Sequence, residues 1–137
     1  MNLQTEFCGV QFQNPLVLAS GVLGVTGASL RNVVKHGAGR VTTKSIWRTG
    51  HDGHPNPVMI ANEHFMLNAV GLPDAGMEKA HLEIGKYMKN KPAPLIANIV
   101  EARVEDFGEL AEKINSQQIR EPQYQETHLQ NYHQCRS

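Results

Sequence analysis

The chain has 137 residues, and its hydrophobic fraction of 40% and charged fraction of 19% are ordinary for one small globular domain. Lys plus Arg and Asp plus Glu number 13 each, so the zero net charge excludes recognition of nucleic acid or an anionic membrane by bulk charge. No uncharged apolar stretch approaches the roughly 20 residues of a membrane span. The first residues also lack the basic and apolar regions of a signal peptide, so we expect a cytoplasmic protein.

Two short alternating segments open the chain, at residues 3–7 and 10–12. Cys8-Gly9 between them predicts a tight hairpin turn. The apolar run Leu16-Val17-Leu18-Ala19 then predicts a strand buried on both faces, as in a parallel sheet. A helical segment follows around Leu30.

The middle of the chain continues the alternation of strand and helix. Residues 40–46 are rich in β-branched side chains and predict a second strand. The connection at residues 47–74 is far longer than a usual strand-to-helix loop, and such loops are functional or disordered. The second helix has a clear apolar stripe formed by Met77, Ala80, His81, Ile84, Tyr87 and Met88. A third strand at residues 95–100 and an amphipathic helix ending near Ile114 come next.

This order predicts an α/β fold with a parallel sheet and right-handed crossovers. From Asn115 onwards the composition shifts to Gln, His and Tyr, without any sustained period. We therefore expect one domain at residues 1–114 and a disordered, non-homologous tail at residues 115–137.

Polar residues end each of the three predicted strands: Ser20-Gly21, Thr43-Lys44-Ser45 and Asn98. The carboxyl ends of parallel strands form the ligand site both in α/β barrels and in doubly wound sheets. The pattern therefore predicts where a ligand binds, while both folds stay open.

Three polar residues allow two interpretations each. Lys44 is either a fixed cation that stabilises negative charge on a ligand or a lysine that extends into water. Asn68 lies in an apolar stretch, where its amide either binds a planar ligand with carbonyl groups or stabilises its own loop. The same two interpretations apply to Asn98.

Two other motifs give weaker indications of function. Gly21, Gly24 and Gly27 match neither the dinucleotide fingerprint nor a P-loop. His51 and His54 lie on a Gly- and Pro-rich loop, where no clear carboxylate or thiolate completes a ligand set, so we predict no metal site.

Three motifs together resemble a known family. Asn14-Pro15-Leu16-Val17-Leu18-Ala19-Ser20-Gly21, Val41-Thr42-Thr43-Lys44-Ser45 and Met66-Leu67-Asn68-Ala69-Val70-Gly71-Leu72-Pro73 are similar, in order and spacing, to segments of class 1 dihydroorotate dehydrogenases. The strand that carries Asn98 continues the similarity, which covers about residues 3–114.

The resemblance implies a flavoprotein oxidoreductase. The fold would be the first three βα units of a TIM barrel, preceded by the β-hairpin. The activity would be FMN-dependent oxidation of (S)-dihydroorotate to orotate in pyrimidine biosynthesis. Some bacterial and archaeal forms pair with an iron–sulfur electron-transfer subunit. By position, the FMN contacts would be Ala19, Ser20, Gly21, Lys44, Ser45 and Asn98. The substrate contacts would be Lys44, Asn68, Ala69, Val70, Gly71 and Leu72.

The same resemblance implies a general base, Cys or Ser, on a loop after a fourth strand, and residues 1–114 contain no such strand. We therefore expect an incomplete barrel, from a truncated, frameshifted or excerpted chain, that is inactive alone. One alternative is a non-catalytic α/β binding or assembly module whose Gln-rich tail recruits a partner, and flavin binding distinguishes it from the dehydrogenase. A second alternative is a related FMN enzyme that reduces or oxidises another pyrimidine.

Overall fold

The computed structural model describes residues 2–118. In chain order its strands and helices are β1 (Thr5–Phe7), β2 (Val10–Phe12), α1 (Gly27–Lys35), β3 (Val41–Thr42), β4 (Met59–Ala61), β5 (Met66–Asn68), α2 (Met77–Met88), β6 (Leu95–Ile96) and α3 (Val104–Gln118). A short 3-10 turn at Val22–Gly24 precedes α1.

The chain begins with the β-hairpin that its sequence predicts. β1 pairs antiparallel with β2, so that Thr5 lies opposite Phe12. The turn residues Cys8 and Gly9 have φ values of 51° and 72°. Positive φ at both central residues is what a tight hairpin turn requires, and glycine adopts it without steric cost.

A small parallel sheet forms the centre of the fold. β3 pairs with β6, with Val41 beside Leu95. On the other side of β3, the segment around Val17 forms a single parallel bridge with Arg40. The three segments that the sequence predicts as strands therefore lie side by side in parallel, and the α/β class is confirmed.

The first of these segments differs from its prediction. Leu16 and Val17 are 64% and 45% exposed, so the run is not buried on both faces. The physical reason is that this segment lies at the edge of the small parallel sheet, where Leu18 packs against an apolar cluster. Leu16 and Val17 belong to neither of the apolar clusters found in residues 2–118.

The pairing of β3 with β6 contains an irregularity at its carboxyl end. Thr42 pairs with Ile96, and the next bridge joins Ile46 to Ile99. Four steps along one segment therefore match three along the other, which is a β-bulge at residues 43–45. A bulge of this kind turns side chains away from their regular positions at the end of a strand.

Two apolar clusters hold the helices against the sheet. Leu30, Val41 and Tyr87 join α1 and α2 to β3, and all three are at most 1% exposed. The second cluster contains Ile46, Met77, Ile84, Leu110 and Ile114. Burial of Met77, Ile84 and Tyr87 confirms the stripe predicted for α2.

Helix α3 runs on to Gln118, so its last turn lies within the segment that the sequence assigns to the tail. The rest of the predicted tail, residues 119–137, lies outside the described residues. Within residues 2–118, no helix has both the length and the apolar character needed to cross a bilayer.

Candidate functional site

The carboxyl ends of the three parallel segments meet around Lys44. Its backbone N–H donates to the carbonyl oxygen of Gly24, at 3.0 Å, in the turn that follows the first segment. On the other side, the Thr43 hydroxyl accepts from the Asn98 N–H at 2.9 Å. Ile46 N–H also donates to the Asn98 carbonyl at 2.9 Å. The bulge is thereby fixed from both sides.

Gly24 is required by this arrangement. A Cβ atom at Gly24 would lie 2.6 Å from the Thr42 oxygen and from the Thr43 carbonyl carbon, and it would also overlap the Lys44 nitrogen. All three atoms belong to the backbone, so no side-chain rotation relieves the overlap. The close approach of the two backbone segments, at Gly24 and at residues 42–44, therefore depends on a residue without a side chain.

The predicted FMN contacts all lie at this edge. Ser20, Gly21, Lys44, Ser45 and Asn98 are half-buried, and Ala19 is exposed. Gly21 has an extended φ of 164° and no atom within 4 Å of the position of a Cβ. The side chains of Lys44, Ser45 and Asn98 form no hydrogen bond or ion pair within the described part of the chain. The edge thus presents a cation and two polar groups next to open space.

The long connection after β3 is ordered, and Asp74 holds its two ends together. The Asp74 carboxylate accepts from the N–H groups of Trp47, at 3.1 Å, and Gly76, at 2.9 Å. Its backbone exchanges two hydrogen bonds with His51, of 2.9 and 2.8 Å. Sequence analysis missed Asp74. An Asp just ahead of a helix start was the available signal, but its partner Trp47 is 27 positions away.

The predicted substrate run at residues 68–72 follows the β4–β5 hairpin and leads to the end of the long connection. Asn68 ends β5, opposite Met59, and is exposed. Ala69 N–H donates to the Val58 carbonyl at 2.8 Å. No hydrogen bond in the described structure joins Asn68 to Lys44, and the cavity that Lys44 lines does not include Asn68.

The rest of the run is anchored through its carbonyl groups. The Val70 carbonyl accepts from His54 N–H at 3.1 Å, and the Leu72 carbonyl accepts from Trp47 Nε1 at 3.0 Å. Gly71 and Leu72 have positive φ values of 77° and 50°. The N–H groups of Val70, Gly71 and Leu72 donate no hydrogen bond to any described residue. Three successive backbone donors therefore remain available to a ligand.

A cavity of about 620 Å³ lies beside the strand ends, between α1, α2 and the long loop. Lys44 lines it, but none of the other predicted contact residues does. Its wall includes Glu83, whose carboxylate accepts from Lys86 Nζ at 2.6 Å and from Gly27 N–H at 2.9 Å. The hydrogen bond from Lys86 has the larger effect, and together with the one from Gly27 it holds the pKa of Glu83 below its usual range. Glu83 therefore caps the start of α1 from the neighbouring helix.

The loop histidines do not assemble a metal site in the described region. His51 stacks on Trp47 with ring centroids 4.8 Å apart, and its Nδ1 accepts from Gly53 N–H. Across residues 2–118, no three His, Cys, Asp or Glu side chains are grouped so that they could bind a metal ion.

Comparison with known proteins decides the family. The dihydroorotate dehydrogenase family profile matches residues 2–122. The chain belongs to the dihydroorotate dehydrogenase family. Among similar curated proteins are two archaeal catalytic subunits of dihydroorotate dehydrogenase B (NAD+). That of Methanocaldococcus jannaschii is 40% identical over 115 residues, which is 82% of this chain and 38% of the relative. That of Methanosarcina mazei is 45% identical over 111 residues, or 80% and 35%.

The fold of this dihydroorotate dehydrogenase family member is also similar to a solved structure. The dihydroorotate dehydrogenase of Eimeria tenella, crystallised with ferulenol, superposes with a TM-score of 0.71 at 21% identity. The match covers 85% of this chain and 34% of that one. The chain therefore spans little more than a third of the length of the relatives it matches.

Proposed function

We propose that this chain forms the first three βα units of a TIM barrel that binds FMN and oxidises (S)-dihydroorotate to orotate in pyrimidine biosynthesis. The observation that carries the proposal is the meeting of Ser20, Lys44, Ser45 and Asn98 at one edge of a parallel sheet. In TIM-barrel enzymes this edge carries the active site.

The chemical groups of the strand-end residues suit the isoalloxazine ring of FMN. Bound FMN would accept the hydride that leaves dihydroorotate. Lys44 would supply a fixed positive charge beside the flavin ring, which gains negative charge when it is reduced. Ser45 and Asn98 would offer hydrogen bonds that no described residue takes up. The open space at Gly21 leaves room for close approach to a ligand.

The loop residues fit the substrate. The free N–H groups of Val70, Gly71 and Leu72 suit the carboxylate of dihydroorotate, because successive backbone donors bind anions. The Asn68 amide, which donates and accepts, suits the ring carbonyl and N–H groups. Because Asn68 lies on the exposed hairpin, we propose that the hairpin packs towards the strand ends when substrate binds.

A second subunit is part of the proposal. The similar archaeal proteins are named catalytic subunits of an NAD+-dependent enzyme. We propose that the complete protein likewise passes electrons to a partner that contains an iron–sulfur centre.

Titration of FMN with the purified 137-residue chain tests the site. We expect quenching of flavin fluorescence at micromolar protein, and loss of quenching in Lys44→Ala. Lys35→Ala is the matched control, because Lys35 is an exposed lysine in the last turn of α1. A folded, monodisperse chain that leaves FMN fluorescence unchanged would instead support the binding or assembly module.

An activity assay tests the barrel proposal separately. Three parallel segments cannot close an eight-stranded barrel, and the general base would lie on a loop after a fourth strand. We therefore expect the chain, incubated with dihydroorotate, FMN and an electron acceptor, to form no orotate. Sustained orotate formation would show that residues 1–137 contain a complete catalytic site.

A further inference from the structure

A buried arginine lies at the opposite end of the sheet from Lys44. Arg40 immediately precedes β3 and is only 7% exposed. Its guanidinium lies over the Phe12 ring of the hairpin, with 3.9 Å from Cζ to the ring centroid. Phe12 is itself 5% exposed. The pair connects the hairpin to the parallel sheet.

The buried Nε of Arg40 has no hydrogen-bond acceptor among the described residues. A buried guanidinium without an anion is costly, because the cation–π contact replaces only part of its hydration. No carboxylate of the described residues forms an ion pair with it.

Burial and neighbouring groups both affect the charge of Arg40. Burial lowers the pKa of Arg40, and the charge of Cys8 opposes that change. Burial, together with the charge of Arg40, also lowers the pKa of Lys91. An anion bound to the Arg40 guanidinium would offset this positive charge.

A cavity lies beside Arg40. It has a volume of about 430 Å³ and lies between the hairpin and the sheet. Most of its wall is apolar, formed by Phe7, Phe12, Pro15, Val17 and Ile96. Arg40 is the only cation that lines it within the described structure, and the single carboxylate is Glu6, which accepts a hydrogen bond from Gln11.

We propose that this cavity binds a small organic carboxylate, with its carboxylate on the Arg40 guanidinium and its apolar body against Phe12 and Val17. Arginine matches the two oxygens of a carboxylate through paired N–H donors. The apolar walls favour an anion with a hydrocarbon part over inorganic phosphate, which would leave most of its oxygens without donors. The site is independent of the proposed flavin site and of its function.

Calorimetric titration of the 137-residue chain with hexanoate, hexylamine and inorganic phosphate tests the proposal. We expect hexanoate to bind and hexylamine to fail, since the two share a chain length but differ in charge. Phosphate should bind at least about tenfold more weakly than hexanoate, because it makes no use of the apolar walls.

Two variants locate the binding. Arg40→Lys keeps the charge but loses Nε and the paired donors, so hexanoate affinity should fall about tenfold. Glu6→Gln removes the carboxylate from the cavity wall and should raise the affinity about threefold. The second variant alters an exposed strand residue and keeps the test valid if Arg40→Lys fails to fold.

Three results would overturn the proposal. They are equal binding of hexanoate and hexylamine, binding of phosphate as tightly as hexanoate, or hexanoate affinity that neither variant changes. None of these readouts involves flavin or orotate, so failure here is separable from failure of the proposed enzymatic function.

Discussion

Substitution of Gly24 by Ala probes the contact that fixes the strand ends. The added Cβ would lie 2.6 Å from two backbone atoms of residues 42 and 43, so one of the two backbone segments must move by about 1 Å to reach an ordinary contact. Overpacking of this kind costs about 1–3 kcal/mol. Loss of the hydrogen bond from Lys44 N–H to the Gly24 carbonyl adds about 1 kcal/mol. We expect the free energy of unfolding to fall by about 2–4 kcal/mol in total.

Thermal and urea unfolding, followed by circular dichroism, measure the change. For a domain of this size the midpoint temperature should fall by about 10 °C or more. Gly85→Ala is the control, because Gly85 lies inside α2 with no atom within 4 Å of its Cβ position. That change should stabilise the chain by about 0.5–1 kcal/mol. If Gly24→Ala unfolds at or above the midpoint of the parent chain, the proposed steric requirement at the strand ends is wrong.

Two further substitutions test the packing of α2. The Tyr87 hydroxyl donates to the Ala93 carbonyl at 2.7 Å in the core, so Tyr87→Phe should lower the free energy of unfolding by about 1–2 kcal/mol in the same urea assay, and an unchanged value would contradict this. The folded pKa of Glu83 is lowered by Lys86 and Gly27, so its stabilisation is present above the unfolded pKa of about 4.3 and is lost as pH falls through the lower folded pKa. Stability measured from pH 7 to pH 3 should therefore decline less in Glu83→Gln than in the parent chain, and parallel curves would exclude this role.

Local patterns predicted the elements that depend on neighbouring residues. Cys8-Gly9 predicted the hairpin because turn geometry is decided within four residues. The stripe through Ile84 predicted the buried face of α2 because a helix repeats its own period. Both predictions are confirmed.

Features that depend on distant pairing were not predictable in this way. Nothing next to Asp74 shows that its carboxylate binds Trp47, and nothing next to Gly27 shows that Glu83 caps it. The run at Leu16 was predicted to be buried, and its exposure arises from what lies beside it in space. Assignment of FMN and substrate contacts rests on resemblance and stays a prediction.

The parallel pairing of the strands has a consequence for the order of folding. Both hairpins and each helix close over short stretches of chain, whereas the bond between Asn98 and Thr43 spans 55 positions. Contacts of large sequence separation form slowly, because the intervening chain must first be confined. During synthesis, β3 therefore cannot pair with β6 until α2 and β6 have left the ribosome. The β4–β5 hairpin and the His51–Asp74 pair lower the entropy cost of that later pairing, because they confine the long loop before the sheet forms.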